Sequence, residues 1–228
     1  MSTAAYTPKT QENTIVAQRP PSPHIKNPDH FANTGIDEDS TYVLTLQTNR
    51  EFHERINDLR RQYFPAQLNK IDAHITLFHA LPGSRLGFIL SDLLEIARTE
   101  QRFRIQTIKP LQWTHGVALD ANNHCAHRLW KLLERKWGSA GADFLSKQDR
   151  GGFKAHYTIQ NKVEKEVAKQ TWEEVRDRFE SDEGEVLGFT LYKYAKSGHW
   201  IYQQAFDFAE SLGPTMSSVD FPSLGNPT

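Results

Sequence analysis

The chain has 228 residues, of which 38% are hydrophobic and 11% aromatic, as expected for one folded domain or two small lobes that share a core. Its formal net charge of −1 excludes a broadly basic surface for nucleic acid, so any recognition of a polyanion must be local. The single cysteine, Cys125, excludes an internal disulfide framework and is typical of a reducing compartment.

The two ends of the chain differ in composition from its middle. Residues 1–38 are rich in Pro, Thr, Asn and Asp, and residues 210–228 have the same character, which predicts a flexible arm and a flexible tail around a folded body at 39–209. No apolar run approaches the roughly 20 residues that cross a bilayer. The N-terminus also lacks the apolar stretch of a secretory signal. We therefore expect an intracellular protein, cytoplasmic or nuclear, with no membrane partner.

Within the body, strand and helix patterns follow one another. In chain order, the sequence predicts a strand at 41–48, a helix at 50–63, a strand at 71–81, a helix at 85–98, two strands within 103–121, a helix that Asn122 or Asn123 caps and Gly138 ends, a loop at 139–152, a strand at 153–163, a helix at 164–180 and a hairpin formed by 185–197 and 198–208. Because some strands come in pairs rather than alternating strictly with helices, the pattern favours an α+β fold.

Two of these strands carry near copies of one sequence. Residues 73–77 read AHITL and residues 155–159 read AHYTI. Side chains two positions apart on a strand share a face, so His74 lies beside Thr76, and His156 beside Thr158. Each strand is thus predicted to bury an apolar side and to present an imidazole with a hydroxyl. If two lobes face each other, the four polar side chains surround a common point.

This set of side chains suits cleavage of a phosphodiester. A neutral imidazole can take a proton from the attacking oxygen while an imidazolium gives one to the leaving oxygen, and histidine populates both states near neutral pH. Threonine hydroxyls can donate hydrogen bonds to the phosphate oxygens. We therefore predict His74 and His156 as catalytic residues and Thr76 and Thr158 as phosphate-binding residues, with no metal and no cofactor.

The paired motifs resemble those of the two-histidine phosphoesterase superfamily, in particular its branch similar to 2′-5′ RNA ligases and cyclic phosphodiesterases. The resemblance extends over residues 41–208. It implies two pseudo-symmetric lobes of antiparallel sheet, with helices on their outer faces and the active site in the cleft between them. It also implies a nucleotide or an RNA end as substrate, with a 2′,3′-cyclic phosphate or a 2′-5′ linkage. The choice between hydrolysis and ligation, the acid and base roles, the natural substrate and the oligomeric state stay open.

Other interpretations of the same residues predict different behaviour. The two histidines could hydrogen-bond only to backbone, or they could ligate zinc, although no HExxH motif or cysteine cluster completes such a site. A module that binds RNA or a nucleotide without turnover would use the same cleft. A purely structural duplication would give no affinity for phosphate.

Residues near the motifs are weaker candidates. Lys154 precedes His156 by two positions in a basic, glycine-containing segment, so we predict that it binds phosphate, although such segments are often only solvated loops. His79 is one position out of phase with His74 and Thr76, which predicts that it faces away from them or sits at the end of the strand, in a structural role.

Overall fold

The computed structural model of the chain describes residues 31–139, 141–195 and 197–210. Most of the predicted arm, residues 1–30, and nearly all of the predicted tail, residues 211–228, lie outside the described residues. Residues 31–38 form no helix or strand. At their end, the Glu38 carboxylate accepts hydrogen bonds from the backbone N–H and the hydroxyl of Ser84, at 2.9 and 2.7 Å.

The described part of the chain contains eight strands, five α-helices and two short 3₁₀ helices, Ala66–Leu68 and Gly83–Arg85. The strands are β1 (Thr41–Thr48), β2 (Ile75–Pro82), β3 (Phe103–Gln106), β4 (Lys109–Trp113), β5 (Gly116–Asp120), β6 (His156–Asn161), β7 (Glu183–Tyr194) and β8 (Trp200–Asp207). The helices are α1 (Arg50–Tyr63), α2 (Leu86–Thr99), α3 (His124–Trp137), the one-turn α4 (Lys147–Arg150) and α5 (Lys165–Asp177).

The strands form two antiparallel sheets, one in each lobe. In the first sheet the order is β2-β1-β7-β3, and β8 pairs with β7. The second sheet has the order β4-β5-β6. The predicted α+β fold with two lobes of antiparallel sheet is therefore confirmed.

The two lobes share one hydrophobic core, to which both sheets and the helices contribute. Helix α1 follows a strand of the first sheet but packs against β6 of the second. Phe52 of α1 meets the ring of Tyr157 edge-on, with ring centroids 5.8 Å apart. Gly184 lies under the same phenylalanine, where a Cβ atom would come within 2.4 Å of the ring, so a larger residue would push α1 off the sheet.

The segment 103–121 forms three strands, and the prediction of two was wrong. After Gln106 the chain leaves the first sheet: the backbone N–H of Thr107 donates to the carbonyl of Asp182, and that of Ile108 donates to the carbonyl of Asp120. Strand β3 therefore pairs with β7, whereas β4 pairs with β5 in the second sheet. The crossing between sheets depends on partners distant in sequence, which local periodicity does not report.

The two motif strands begin later than predicted. Strand β2 starts at Ile75 rather than at residue 71, and β6 starts at His156 rather than at residue 153. In the loop predicted at 139–152, the short helix α4 forms, with the Ser146 hydroxyl capping it by accepting from the backbone N–H of Asp149. The later starts of β2 and β6 and the presence of α4 both affect residues of the candidate site.

Candidate active site

The two motif strands lie at the edges of their sheets and contact each other. Strand β2 is the outer strand of the first sheet and β6 that of the second, and residues of the two strands come together between the lobes. Thr76 and Thr158 are half-buried, whereas their immediate neighbours along each strand are buried. The predicted alternation of a polar and an apolar face is therefore confirmed for both motifs.

Both motif histidines are held in the same way. The Nδ1 atom of His74 lies 2.7 Å from the carbonyl oxygen of Asp72, and Nδ1 of His156 lies 2.7 Å from the carbonyl oxygen of Lys154. A carbonyl oxygen only accepts hydrogen bonds, so Nδ1 carries the proton in both rings. In the neutral imidazoles, Nε2 is therefore the atom with the free lone pair, and it is the atom that can exchange a proton with a ligand.

A tryptophan flanks each of these imidazoles. The ring of His74 lies 4.4 Å from that of Trp200 on β8, and the ring of His156 lies 5.0 Å from that of Trp113 on β4. Tyr192 packs against Trp200 at 5.7 Å between ring centroids. These aromatic rings limit the access of water to the histidines and give the site flat apolar walls on both lobes.

Arg60 of α1 connects the two lobes behind the site. Its side chain is buried and stacks on the ring of Phe64. It donates through Nε to the side-chain amide oxygen Oδ1 of Asn69 at 2.8 Å and through a terminal nitrogen to the backbone carbonyl of Thr158 at 2.5 Å. Among the described residues, no carboxylate forms an ion pair with it. Burial lowers the pKa of Arg60 to about 10, so the guanidinium remains a cation at neutral pH and adds positive potential beside His74.

The pKa values of both motif histidines are lowered. Burial is the main cause of the decrease in the pKa of His74 to about 4, and the charges of Arg60, His79 and His156 add to it. For His156, burial again lowers the pKa most, the charge of His79 adds to the decrease, and the carboxylate of Asp120 opposes it. With no ligand bound, both imidazoles are therefore neutral at pH 7.

His79 lies on the same face of β2 as Thr76, within the strand, and the prediction that it faces away or sits at the strand's end was wrong. Opposite Leu44 and Thr45, the pairing of β2 with β1 slips by one residue, and both Leu77 and Phe78 are buried. This β-bulge restores His79 to the face of Thr76. A positive charge on His79 contributes to the lowered pKa values of His74 and His156, after the larger effect of burial.

A buried carboxylate holds His79 in place. One oxygen of Asp149, in α4, accepts from the backbone N–H of His79 at 2.8 Å and lies 3.1 Å from its Nδ1 atom. The other oxygen accepts from the backbone N–H of Ala80 at 3.1 Å and from the Ser146 hydroxyl at 2.9 Å. Asp149 therefore takes the place of a neighbouring strand at the outer edge of β2.

The structure places Lys154 differently from the predicted position. Strand β6 begins after it, and its backbone carbonyl, rather than its side chain, contacts His156. The side chain is exposed, just before the second motif.

Within the described ranges, no group of three or more His, Cys, Asp or Glu side chains is arranged to hold a metal ion. No helix in these ranges is both long and apolar enough to cross a membrane.

The sequence predictions did not include several residues that shape the site, namely Arg60, Asp149, Trp113 and Trp200. Arg60 carried a signal, because it follows Phe52 and Ile56 at four-residue intervals on the apolar face of α1, where a cation is unexpected. The only acid in the basic segment that precedes the second motif is Asp149. The two tryptophans had no local signal that separated them from core tryptophans such as Trp137.

Comparison with known proteins gives the same class of protein as the fold and the paired motifs. The sequence profile described as "2'-5' RNA ligase superfamily" matches residues 48–198, a range that contains both motifs. Since the match covers well over half of the chain, the chain belongs to the 2′-5′ RNA ligase superfamily, the two-histidine phosphoesterases. No curated protein matches its sequence.

Several solved structures share the fold at low sequence identity. A structure described as a phosphoesterase has a TM-score of 0.53 and 17% identity, with 75% of this chain and 99% of that one covered. The protein TT0787 of Thermus thermophilus has a TM-score of 0.51 and 17% identity, covering 74% of this chain and 97% of its own. LigT of E. coli, in its complex with 3′-AMP, has a TM-score of 0.51 and 18% identity, covering 75% and 99%.

Proposed function

We propose that the protein is a metal-independent phosphoesterase that acts on a nucleotide or RNA-end phosphodiester, with His74 and His156 as its general acid and base. The observation that carries the proposal is the matched orientation of the two imidazoles. Each Nδ1 atom lies 2.7 Å from a backbone carbonyl oxygen, on two edge strands that meet between the lobes. This orientation leaves one Nε2 atom on each lobe available to a phosphate in the cleft.

In hydrolysis of a 2′,3′-cyclic phosphate, a neutral Nε2 removes a proton from water as the water oxygen bonds to phosphorus. The bond from phosphorus to the 2′ or 3′ oxygen breaks, and the leaving oxygen takes a proton from the protonated Nε2 of the other histidine. When the 5′-hydroxyl of a second nucleotide attacks in place of water and the bond from phosphorus to the 3′ oxygen breaks, a 2′-5′ linkage forms, and each histidine keeps its role. In the reverse of that step, cleavage of the 2′-5′ linkage to a cyclic phosphate, the two histidines exchange roles.

The pKa pattern supports His74 as the base in hydrolysis. Its pKa of about 4 keeps its lone pair free at neutral pH. His156 lies opposite Asp120 in the sheet, and that carboxylate raises its pKa against the larger effect of burial, which favours His156 as the acid. An anionic phosphate between the rings would raise the pKa of both.

The remaining polar groups suit the phosphate itself. The hydroxyls of Thr76 and Thr158, which are half-buried, would donate to its non-bridging oxygens. The exposed ammonium of Lys154 would attract an anionic substrate to the cleft. Trp113 and Trp200 offer faces on which a base or ribose can pack, and the 3′-AMP bound by LigT, which shares the fold, is a ligand of this kind.

The proposal is tested by offering the purified protein a nucleoside 2′,3′-cyclic phosphate and a 2′-5′-linked dinucleotide in excess chelator. We expect conversion of at least one of them to a nucleotide product, at a rate that chelator does not change. Failure to convert or bind either would reject the proposal, and a requirement for added metal would reject its metal-independent mechanism.

A further inference from the structure

His79 stands outside the two motifs, yet it has the features of a residue built to meet a ligand. It lies on the same face of β2 as Thr76, and its side chain is 45% exposed although both of its flanking residues, Phe78 and Ala80, are buried. A purely structural role on this strand would not require the imidazole to be exposed on the face of Thr76.

The local backbone is adapted to aim this side chain. Two irregularities interrupt the pairing of β2 with β1, one between Leu44 and Thr45 and one between Tyr42 and Leu44. His79 lies in the second of them, between Phe78 and Leu81, which pair with Leu44 and Tyr42. A β-bulge disrupts ladder hydrogen bonds locally and re-aims a side chain. The backbone N–H groups of His79 and Ala80 bond instead to Asp149, which replaces a strand partner at this point.

Asp149 also fixes the ring of His79. The carboxylate side chain is fully buried and accepts from two backbone N–H groups, from the Ser146 hydroxyl and from Nδ1 of His79. Because Nδ1 faces the carboxylate, Nε2 is the nitrogen left for a ligand. A buried carboxylate with four donors holds this geometry at little cost in side-chain entropy when a ligand arrives.

We propose that His79, oriented by Asp149, is a substrate-binding residue that hydrogen-bonds through Nε2 to the nucleoside portion of the substrate, next to the phosphate that His74 and His156 address. The inference rests on the proposed function. Thr76, His74, Thr158 and His156 already supply the groups that the phosphate needs, so the third imidazole is left for the hydroxyl and base groups of the attached nucleoside. His79 would thus favour nucleotides over simple phosphate esters.

The test compares binding of a nucleoside 2′-monophosphate with binding of inorganic phosphate by calorimetry, in wild type and in the His79→Ala protein. Loss of one hydrogen bond predicts about a 10-fold weaker affinity for the nucleotide and an affinity for phosphate within about twofold of wild type. His124→Ala, which removes an exposed histidine at the start of α3, serves as the matched control and should leave both affinities unchanged.

The possible results distinguish a failure of the proposed role of His79 from a failure of the proposed function. Equal nucleotide affinity in wild type and His79→Ala would overturn the inference while leaving the proposed function intact. A parallel loss of nucleotide and phosphate affinity, together with a lower unfolding temperature, would show a structural role and also overturn it. Absence of nucleotide and phosphate binding in the wild type would instead reject the proposed function, and the inference with it.

Discussion

The low pKa of His74 makes the stability of the protein depend on pH in a way that one substitution can isolate. In the unfolded chain His74 titrates near 6.5, whereas burial and neighbouring cations bring its pKa to about 4 in the folded protein. Above pH 7.5 the imidazole is neutral in both states and contributes nothing. As the pH falls below 6.5, the unfolded chain binds a proton that the folded protein does not, so the free energy of unfolding decreases.

The magnitude follows from the two pKa values. At pH 4.5 their difference corresponds to about 2.5 kcal/mol, which we reduce to about 2 kcal/mol because part of the ring reaches solvent. The His74→Gln protein lacks this titration. Its stability relative to wild type should therefore rise by about 2 kcal/mol between pH 7.5 and pH 4.5, while all other titrating groups cancel in the comparison.

The assay is urea unfolding followed by tryptophan fluorescence, with both proteins measured at the two pH values. His124→Gln, at an exposed position on α3, is the control and should follow wild type at both. If the wild-type and His74→Gln curves shift in parallel on acidification, His74 is not buried as a neutral imidazole. The reasoning from burial to a general base would then be wrong.

Further predictions concern the groups around the two histidines. Arg60→Met leaves the carbonyl of Thr158 and the amide oxygen of Asn69 without their buried donor, so the free energy of unfolding in urea should fall by roughly 2–4 kcal/mol; an unchanged value would refute the bridging role. Thr76→Val and Thr158→Val remove the proposed phosphate donors and should each weaken phosphate binding by about 1–3 kcal/mol in calorimetry, with normal unfolding temperatures. Affinities equal to wild type would exclude those hydroxyls from the site.

The fold and the centre of the site were accessible to sequence reasoning because both depend on local periodicity. The i, i+2 spacing of His74 and Thr76 determines that they share a face, and the same holds for His156 and Thr158. The apolar residues between them identify the strands. A duplicated pattern with these features predicts two lobes, and it leads to the proposal that four polar side chains lie where the lobes meet.

The surroundings of the site depend on contacts between distant segments, and these were missed. Strict alternation from His74 predicts that His79 faces the opposite side of the strand. A β-bulge in the pairing of β2 with β1 changes the face on which His79 lies, and the sequence of β2 alone does not contain it. Its partner Asp149 lies 70 residues further along the chain, a separation that local sequence patterns do not report. The route of the chain from β3 to β4, between two sheets, likewise depends on hydrogen bonds to Asp182 and Asp120 that no local pattern contains.

The proposed mechanism requires that His74 and His156 each exchange a proton with the same phosphodiester. The most direct measurement is single-turnover cleavage of a nucleoside 2′,3′-cyclic phosphate, in chelator, by the wild type, His74→Ala and His156→Ala proteins, each shown to unfold cooperatively. We expect each substitution to slow the chemical step by on the order of 1,000-fold or more, because each removes one positioned acid or base. Wild-type turnover in either histidine variant would contradict the claim.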